Sequence, residues 1–431
     1  MTSSRRRPTL APRLERDEIG ELPLPRAALY GIQTARSCAS LSFSGRSLGE
    51  YPALVRALAM VKAAAACANA EAGTIEAPML DAIVAACRKL IAGECREDLL
   101  ADMLAGGGSI AIHMNINEVI ANLANEQLGG RRGQYQPIDP KRHVNASQST
   151  ADVCHTASRL AVLDTGVGLE AGLVRLRATL SQRCEELGAV PTLARTCLRD
   201  GLPTTVGILL GGHLSRLQRQ QRELARSLQP LWAVTLGGTV IGTGEGAPPA
   251  YRRRVVPLLA EIAGRRLRRR ADPAEALQNS DDLAGVSAQL VLLAESLLKL
   301  ATDVRLLSSG PRGGFGELIL PHVLQGSSFF VGKTNPVVPE TMIQCCLQVF
   351  GCDRAVQAAC ERAELHLNVF DGLVVANVLD ELAMLTAAVD RFDQLCLQGL
   401  EVDRDRCLEL SRSVSTSAVS PPLRAARGRR R

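Results

Sequence analysis

Apolar positions recur at helical spacing along most of this chain, and glycine or proline marks the breaks. Residues 51–73 open the series: ALVRALAMVKAAAACANAEAG is alanine-rich, keeps the 3.6-residue period and stops at Gly73. A second helix is predicted over 79–92. The glycine cluster at 105–109 breaks the pattern before a third helix through NINEVIANLANEQLG. A polar loop at 129–149 precedes a long helical region over 151–187, and another long helix runs over 202–228. The glycine-rich TLGGTVIGTGEGAPP and a basic, less regular segment follow, and then residues 281–307 are again long, apolar and helical. Helices starting near Pro339 and Gly372 complete the set.

Helices of about 20 to 30 residues exceed the usual globular length and point to a bundle, often one that buries its faces by oligomerising. Leu290, Leu292, Leu293, Leu297, Leu298 and Leu300 leave their helix little polar surface, so it should be buried against several neighbours. No internal period supports a helical repeat protein.

Composition agrees with helix packed on helix. Hydrophobic residues make up 46% of the 431 and aromatics only 3%, so the core must rest on Leu, Ala, Val and Ile. The +6 net charge is concentrated at the ends. Arg5, Arg6, Arg7, Arg424, Arg427, Arg429, Arg430 and Arg431 are eight positive charges, and without them the remainder stands at −2. These ends read as solvated tails, which argues against a nucleic-acid or membrane partner. Thirteen scattered cysteines with no paired metal-type spacing and no signal-peptide pattern fit a reduced, cytoplasmic compartment. Cys345, Cys346 and Cys352 read as small core residues, and no metal site is expected. No run reaches the roughly twenty uncharged apolar residues of a membrane span, so the protein is expected to be soluble.

One stretch carries chemistry: GSSFFVGKTNPVVPE, residues 326–340. Two serines follow a glycine, with Lys333 and Asn335 close behind. A hydroxyl on a glycine hinge, a fixed positive charge and an amide donor suit removal of a proton from carbon beside a carboxylate. Proline at 336 and 339 favours a helix start there, whose free N–H groups favour an anion.

Taken in chain order, LYGIQT, MNINEVIAN, HVNASQST, ARTCLRDGLP, LGGTVIGTG, LLSSGPRGGFGEL and the GSS loop resemble the aspartase/fumarase superfamily from about residue 14 to 420. QST and NPVVPE look more like the aspartate ammonia-lyases than the fumarases. The resemblance implies a mainly α, three-domain fold with a central long-helix bundle, assembled as a homotetramer with a twenty-helix core and active sites built from three subunits. The corresponding division is a basic tail at 1–18, an N-terminal helical domain at 19–149, the bundle at 150–405, and a remnant C-terminal domain with basic tail at 406–431. It implies a C–N lyase that removes a Cβ proton and then ammonia from aspartate or an aspartate-like succinate, through an aci-carboxylate intermediate, giving fumarate without a cofactor. Alternatives are an N-substituted succinate as substrate, a fumarate hydratase-like C–O lyase, or an inactive structural paralogue. By motif position Ser327 would be the general base. Ser149, Thr150, Thr196, Ser328, Lys333 and Asn335 would bind substrate, with Glu340 in support. Each also has a blander reading: a flexible turn for Gly-Ser-Ser, a helix cap for Ser149-Thr150, a surface charge for Lys333.

Departures from the family pattern fall at the substrate. Ile110 stands where the family carries a carboxylate-binding threonine, Ala151 where it carries asparagine, and Cys197 where fumarases and some aspartases carry histidine. Cys197 is expected to be a small core residue, and Glu340 to lack its usual histidine partner. Phe329-Phe330-Val331 makes the loop more apolar. Two lost polar contacts, at about 0.5–1.5 kcal/mol each or more with a charged ligand, would weaken aspartate binding by one to several powers of ten. At the other end, SVSTSAVSPP runs straight into RAARGRRR, so the small C-terminal domain is expected to be largely missing, the GSS loop mobile and effector dependence weak.

Overall fold

Residues 11–414 are described by a computed structural model, and they are mainly α-helical. The strand pair β1 (Arg13–Asp17) and β2 (Gly20–Leu24) comes first, then helices α1 (Ile32–Leu41), α2 (Pro52–Glu71), α3 (Ala77–Ile91) and α4 (Ile110–Gln127). The 38-residue α5 (Thr150–Leu187) leads to the hairpin β3 (Pro191–Thr196) and β4 (Arg199–Thr205), and this into α6 (Val206–Ser227). After the glycine-rich connection come α7 (Pro249–Ala263), α8 (Pro273–Gln278), α9 (Asp281–Leu307), α10 (Val337–Cys360), α11 (Asp371–Phe392) and α12 (Arg404–Arg412).

Two compact units divide these elements, and neither is continuous in sequence. The first takes residues up to Gly168, Glu223–Val291 and Gln348–Met384. In it α2 packs against α3 and α7, and α3 against α4. Pro52 starts α2 at a position where a missing N–H costs nothing, and its run of alanines lets neighbours approach closely. Helix α3 buries the stripe Ala82, Ile83, Ala86, Cys87 and Leu90, spaced as one helical face requires. The second unit takes Leu169–Arg222, Leu292–Leu347 and Leu385 onward, with α12 packed on the β3–β4 hairpin.

Several expectations need correction. Residues 13–17, assigned to a basic tail, form β1, held in register from Arg13 opposite Leu24 to Asp17 opposite Gly20. The helix expected from 202 begins at Val206, because residues 199–205 pair with 191–196. The basic, less regular segment contains α7, with Pro257 inside it. The other expectations for the tails, including the missing C-terminal domain, concern residues that lie largely outside those described.

The membrane expectation also changes. Once one or two charges are allowed, Pro52–Glu71, Asp281–Leu307 and Asp371–Leu397 are long and apolar enough to cross a bilayer by composition. In their most apolar windows 72%, 61% and 67% of residues are buried inside the chain, so this apolarity serves packing within the protein.

Candidate active site

Gly326 sets the shape of the GSS loop. A Cβ there would lie 2.5 Å from the backbone nitrogen of Asn335 and 2.7 Å from the carbonyl of Lys333, so only glycine lets the two strands of the loop meet. Its N–H donates to the Lys333 carbonyl at 2.9 Å, and Asn335 Nδ2 donates to the Gly326 carbonyl at 2.6 Å. The loop is thus stapled at its base by Asn335, and its crown is exposed.

Within that crown Ser327 Oγ accepts two backbone hydrogen bonds, from Phe329 N at 3.0 Å and Phe330 N at 2.8 Å. Two N–H dipoles aimed at one oxygen favour negative charge on it. Lys333 Nζ lies 5.7 Å from the centre of the Phe330 ring, and among the described residues no carboxylate pairs with it. Ser328 is exposed. Phe329 and Phe330 stand edge to face at 4.9 Å, and Phe329 is 83% exposed. Glu340, expected to lack a partner, pairs instead with Arg305 Nε at 3.1 Å.

Thr196 ends β3 and is exposed, beside a two-residue turn. Cys197 and Leu198 form that turn, both left-handed at φ 53° and 57°. Cys197 is exposed, which overturns its reading as a core residue; the tightness of the hairpin puts it at the tip.

Ser149 and Thr150 lie at the N-terminus of α5, in the first unit. Ser149 Oγ accepts from Ala151 N at 3.3 Å while Asp152 Oδ1 accepts from Ser149 N at 3.0 Å, a reciprocal cap. Capping leaves the Ser149 hydroxyl proton free to be donated. Thr150 Oγ1 is 2.7 Å from His113 Nδ1. Thr150 and Ala151 border a cavity of about 20 Å³ with Ser109, Cys154 and His155. Ile110 begins α4 and is 44% exposed.

Residues 20–351 match a family described as Lyase. The aspartate ammonia-lyase of Pseudomonas aeruginosa is 40% identical over 410 residues, which cover 94% of this chain and 85% of that protein. The chain belongs to the aspartase/fumarase superfamily of lyases. Solved structures agree with that membership. Fumarate lyase:delta crystallin from Brucella melitensis superposes with a TM-score of 0.90 at 41% identity, covering 93% of this chain and 87% of that one. A class II fumarase from Schistosoma mansoni gives 0.89 at 29% identity, covering 93% and 87%.

Several superfamily motifs turn out to hold the scaffold. Glu118 of MNINEVIAN accepts from the backbone N–H of Gly31, Gln33 and Thr34 of LYGIQT, at 2.9, 2.9 and 3.1 Å, and from the Thr34 hydroxyl at 2.6 Å. A buried carboxylate therefore caps α1 across 84 residues of sequence or more. Asp152 does the same for LGGTVIGTG, accepting from Gly237 N and Thr239 N at 3.0 Å each. Burial pushes the Asp152 carboxyl up to about 6 against the pull of these donors.

The sequence reading missed the groups behind Thr150: His113, and Lys62 beyond it, whose Nζ is 2.6 Å from His113 Nε2. Both are fully buried. A lysine directly ahead of four consecutive alanines, residues 63–66, was the available signal. What it meets depends on a helix 51 residues away.

Proposed function

We propose that this lyase eliminates ammonia or an amine from aspartate or an aspartate-like succinate, giving fumarate. The carrying observation is Ser327 Oγ at the focus of two backbone N–H groups on a glycine-hinged loop, with Lys333 close by. A free serine hydroxyl is far too weak a base for a Cβ proton. Donors preorganised around Oγ and a nearby ammonium lower its pKa and make the alkoxide accessible.

In this mechanism Ser327 removes the Cβ proton, and the electron pair moves into the adjacent carboxylate as the aci form. Lys333 and hydroxyl donors from Ser149, Thr150 and Thr196 bind the extra negative charge, and the Cα–N bond then breaks. Asn335 holds the loop base closed with one of its two amide protons, given to the Gly326 carbonyl, and its other amide proton serves the substrate carboxylate. No step calls on a cofactor. The site is assembled from three subunits of a homotetramer. Likeness to aspartate ammonia-lyases supports the C–N bond as the one broken.

An N-substituted succinate is the second reading, favoured by the exposed Phe329, Phe330 and Val331 at the loop crown and by the apolar Ile110 and Ala151. Incubation with aspartate and N-substituted aspartates, following fumarate and released amine, separates the two. Ser327→Ala should lower kcat about 100- to 10,000-fold with the fold and assembly intact. Unchanged turnover in that variant would remove Ser327 from the chemistry, and no turnover of any succinate by the wild type would leave a non-catalytic protein.

A further inference from the structure

Lys62 of α2 is wholly buried, and its Nζ has three partners: His113 Nε2 at 2.6 Å, Asn145 Oδ1 at 2.9 Å and Gln148 Oε1 at 3.0 Å. Both amides are oriented by what their nitrogens do. Gln148 Nε2 donates to the carbonyls of Val144 and Ala146 at 3.0 Å each, and Asn145 Nδ2 donates to the carbonyl of Gln148 at 3.3 Å. Oxygen therefore faces Lys62 in both, and each takes one Nζ proton. The third position on Nζ faces His113, whose Nδ1 lies 2.7 Å from Thr150 Oγ1.

We propose that Lys62 and His113 are positioning residues that fix the direction of the Thr150 hydroxyl, presenting it as a donor to a substrate carboxylate. This rests on the lyase reading, which puts Thr150 at the substrate. As an ammonium, Lys62 has no lone pair, so His113 Nε2 must accept its third proton. The ring proton then sits on Nδ1 and is donated to Thr150 Oγ1, leaving the hydroxyl hydrogen to point away toward the ligand. As a neutral amine, Lys62 gives its two protons to the amide oxygens and turns a lone pair to His113. Nε2 then carries the ring proton, Nδ1 accepts from Thr150, and the hydroxyl offers only lone pairs to an anion. One proton on Lys62 reverses the polarity of a hydroxyl two hydrogen bonds away.

The other titratable groups facing Lys62 are Cys87 of α3 and Asp152 and Cys154 of α5. Burial brings Lys62 down to about 7, and burial together with Lys62 holds His113 well below the usual imidazole value. The imidazole thus stays neutral while Lys62 titrates near neutral pH. Below about 7 the donor state prevails, and as pH rises through that value it is lost.

Succinate, a non-reacting diacid, tests this by calorimetry from pH 7 to pH 9, above the Asp152 carboxyl and the ligand's own ionisation, in buffers whose ionisation heats reveal proton uptake. The wild type should bind about 10-fold or more weaker at the upper end, taking up close to one proton there. In Lys62→Met, Thr150→Val and His113→Asn that pH dependence should vanish, and Thr150→Val should add no further loss to Lys62→Met. Should Lys62→Met fail to fold, His113→Asn carries the same expectation. Affinity independent of pH in the wild type, a pH dependence surviving Thr150→Val or His113→Asn, or no succinate binding at any pH overturns the proposal. Binding that follows this pattern without turnover of any substituted succinate would instead defeat the lyase reading alone.

Discussion

A Cβ at position 326 has nowhere to go, since the atoms it would strike belong to backbone rather than to the end of a flexible side chain. Gly326→Ala must therefore spread the loop base, break the Gly326 N–H to Lys333 bond and tilt Ser327 away from its two donors. The loop buries little, so the fold should be indifferent. The expected result is a kcat lower by about 100-fold, the order that an ångström-scale misplacement of a reacting group produces, with an unchanged melting temperature. Kinetics and thermal unfolding on one preparation check it; near-normal kcat would mean that the loop geometry seen here is not the reacting one. The same residue explains why the site was legible at all. Glycine, serine, lysine and asparagine within ten positions state their chemistry locally, and the loop closes on itself through contacts nine residues apart or fewer. Lys62 and His113 state nothing locally, because their meaning arises only when α2 packs near α4.

At the level of elements, Arg159 of α5 is entirely buried and joins Asp282 of α9, with Nη2 to Oδ1 at 2.7 Å, to Asp371 of α11, with Nη1 to Oδ1 at 3.2 Å. Burial opposes ionisation of Asp282, but Arg159 brings its carboxyl down to about 2. Arg159→Met removes the cation that bridges the two acids, leaving Asp282 only Arg270 Nη1 at 3.9 Å, and should cost about 3–5 kcal/mol in denaturant unfolding near neutral pH. The sign of the pH effect follows from the lowered value. The contribution is present above the unfolded carboxyl value near 3.8 and is lost as pH falls through about 2, so wild type and variant should converge in strong acid. A loss that stays constant with pH would point to packing alone. Helices such as α2 and α9 were legible because apolar period and end signals agree. The β3–β4 hairpin was not: its turn places Cys197 and Leu198 in the left-handed region without the glycine or asparagine that announces such a turn. Likewise the segment 202–205 reads as the start of a helix until it finds a partner strand.

For the molecule as a whole, the motifs that made the family recognisable split into two kinds. Glu118 and Asp152 clamp backbone from distant segments and would be needed by any protein of this fold, active or not. Ser327, Thr196 and Ser149-Thr150 clamp no distant backbone in this way: the Ser327 and Ser149 hydroxyls serve a local turn and a helix cap, and Thr150 meets the side chain of His113. If each active site draws these groups from three subunits, chains defective in different groups must rescue one another. Ser327→Ala and Thr196→Val chains, each impaired alone, should regain about a quarter of wild-type sites when unfolded together in equal amounts and refolded, since half the positions for each group are intact and the two are drawn independently. The readout is fumarate formation per mole of refolded protein, compared with each variant refolded by itself. Complementation at that level would also require both groups to act at one site, which no single substitution establishes. Activity no higher than the mean of the two variants would mean that Ser327 and Thr196 of one site come from the same chain, and their assignment to different subunits would have to be abandoned while the role of Ser327 stood on its own kinetics.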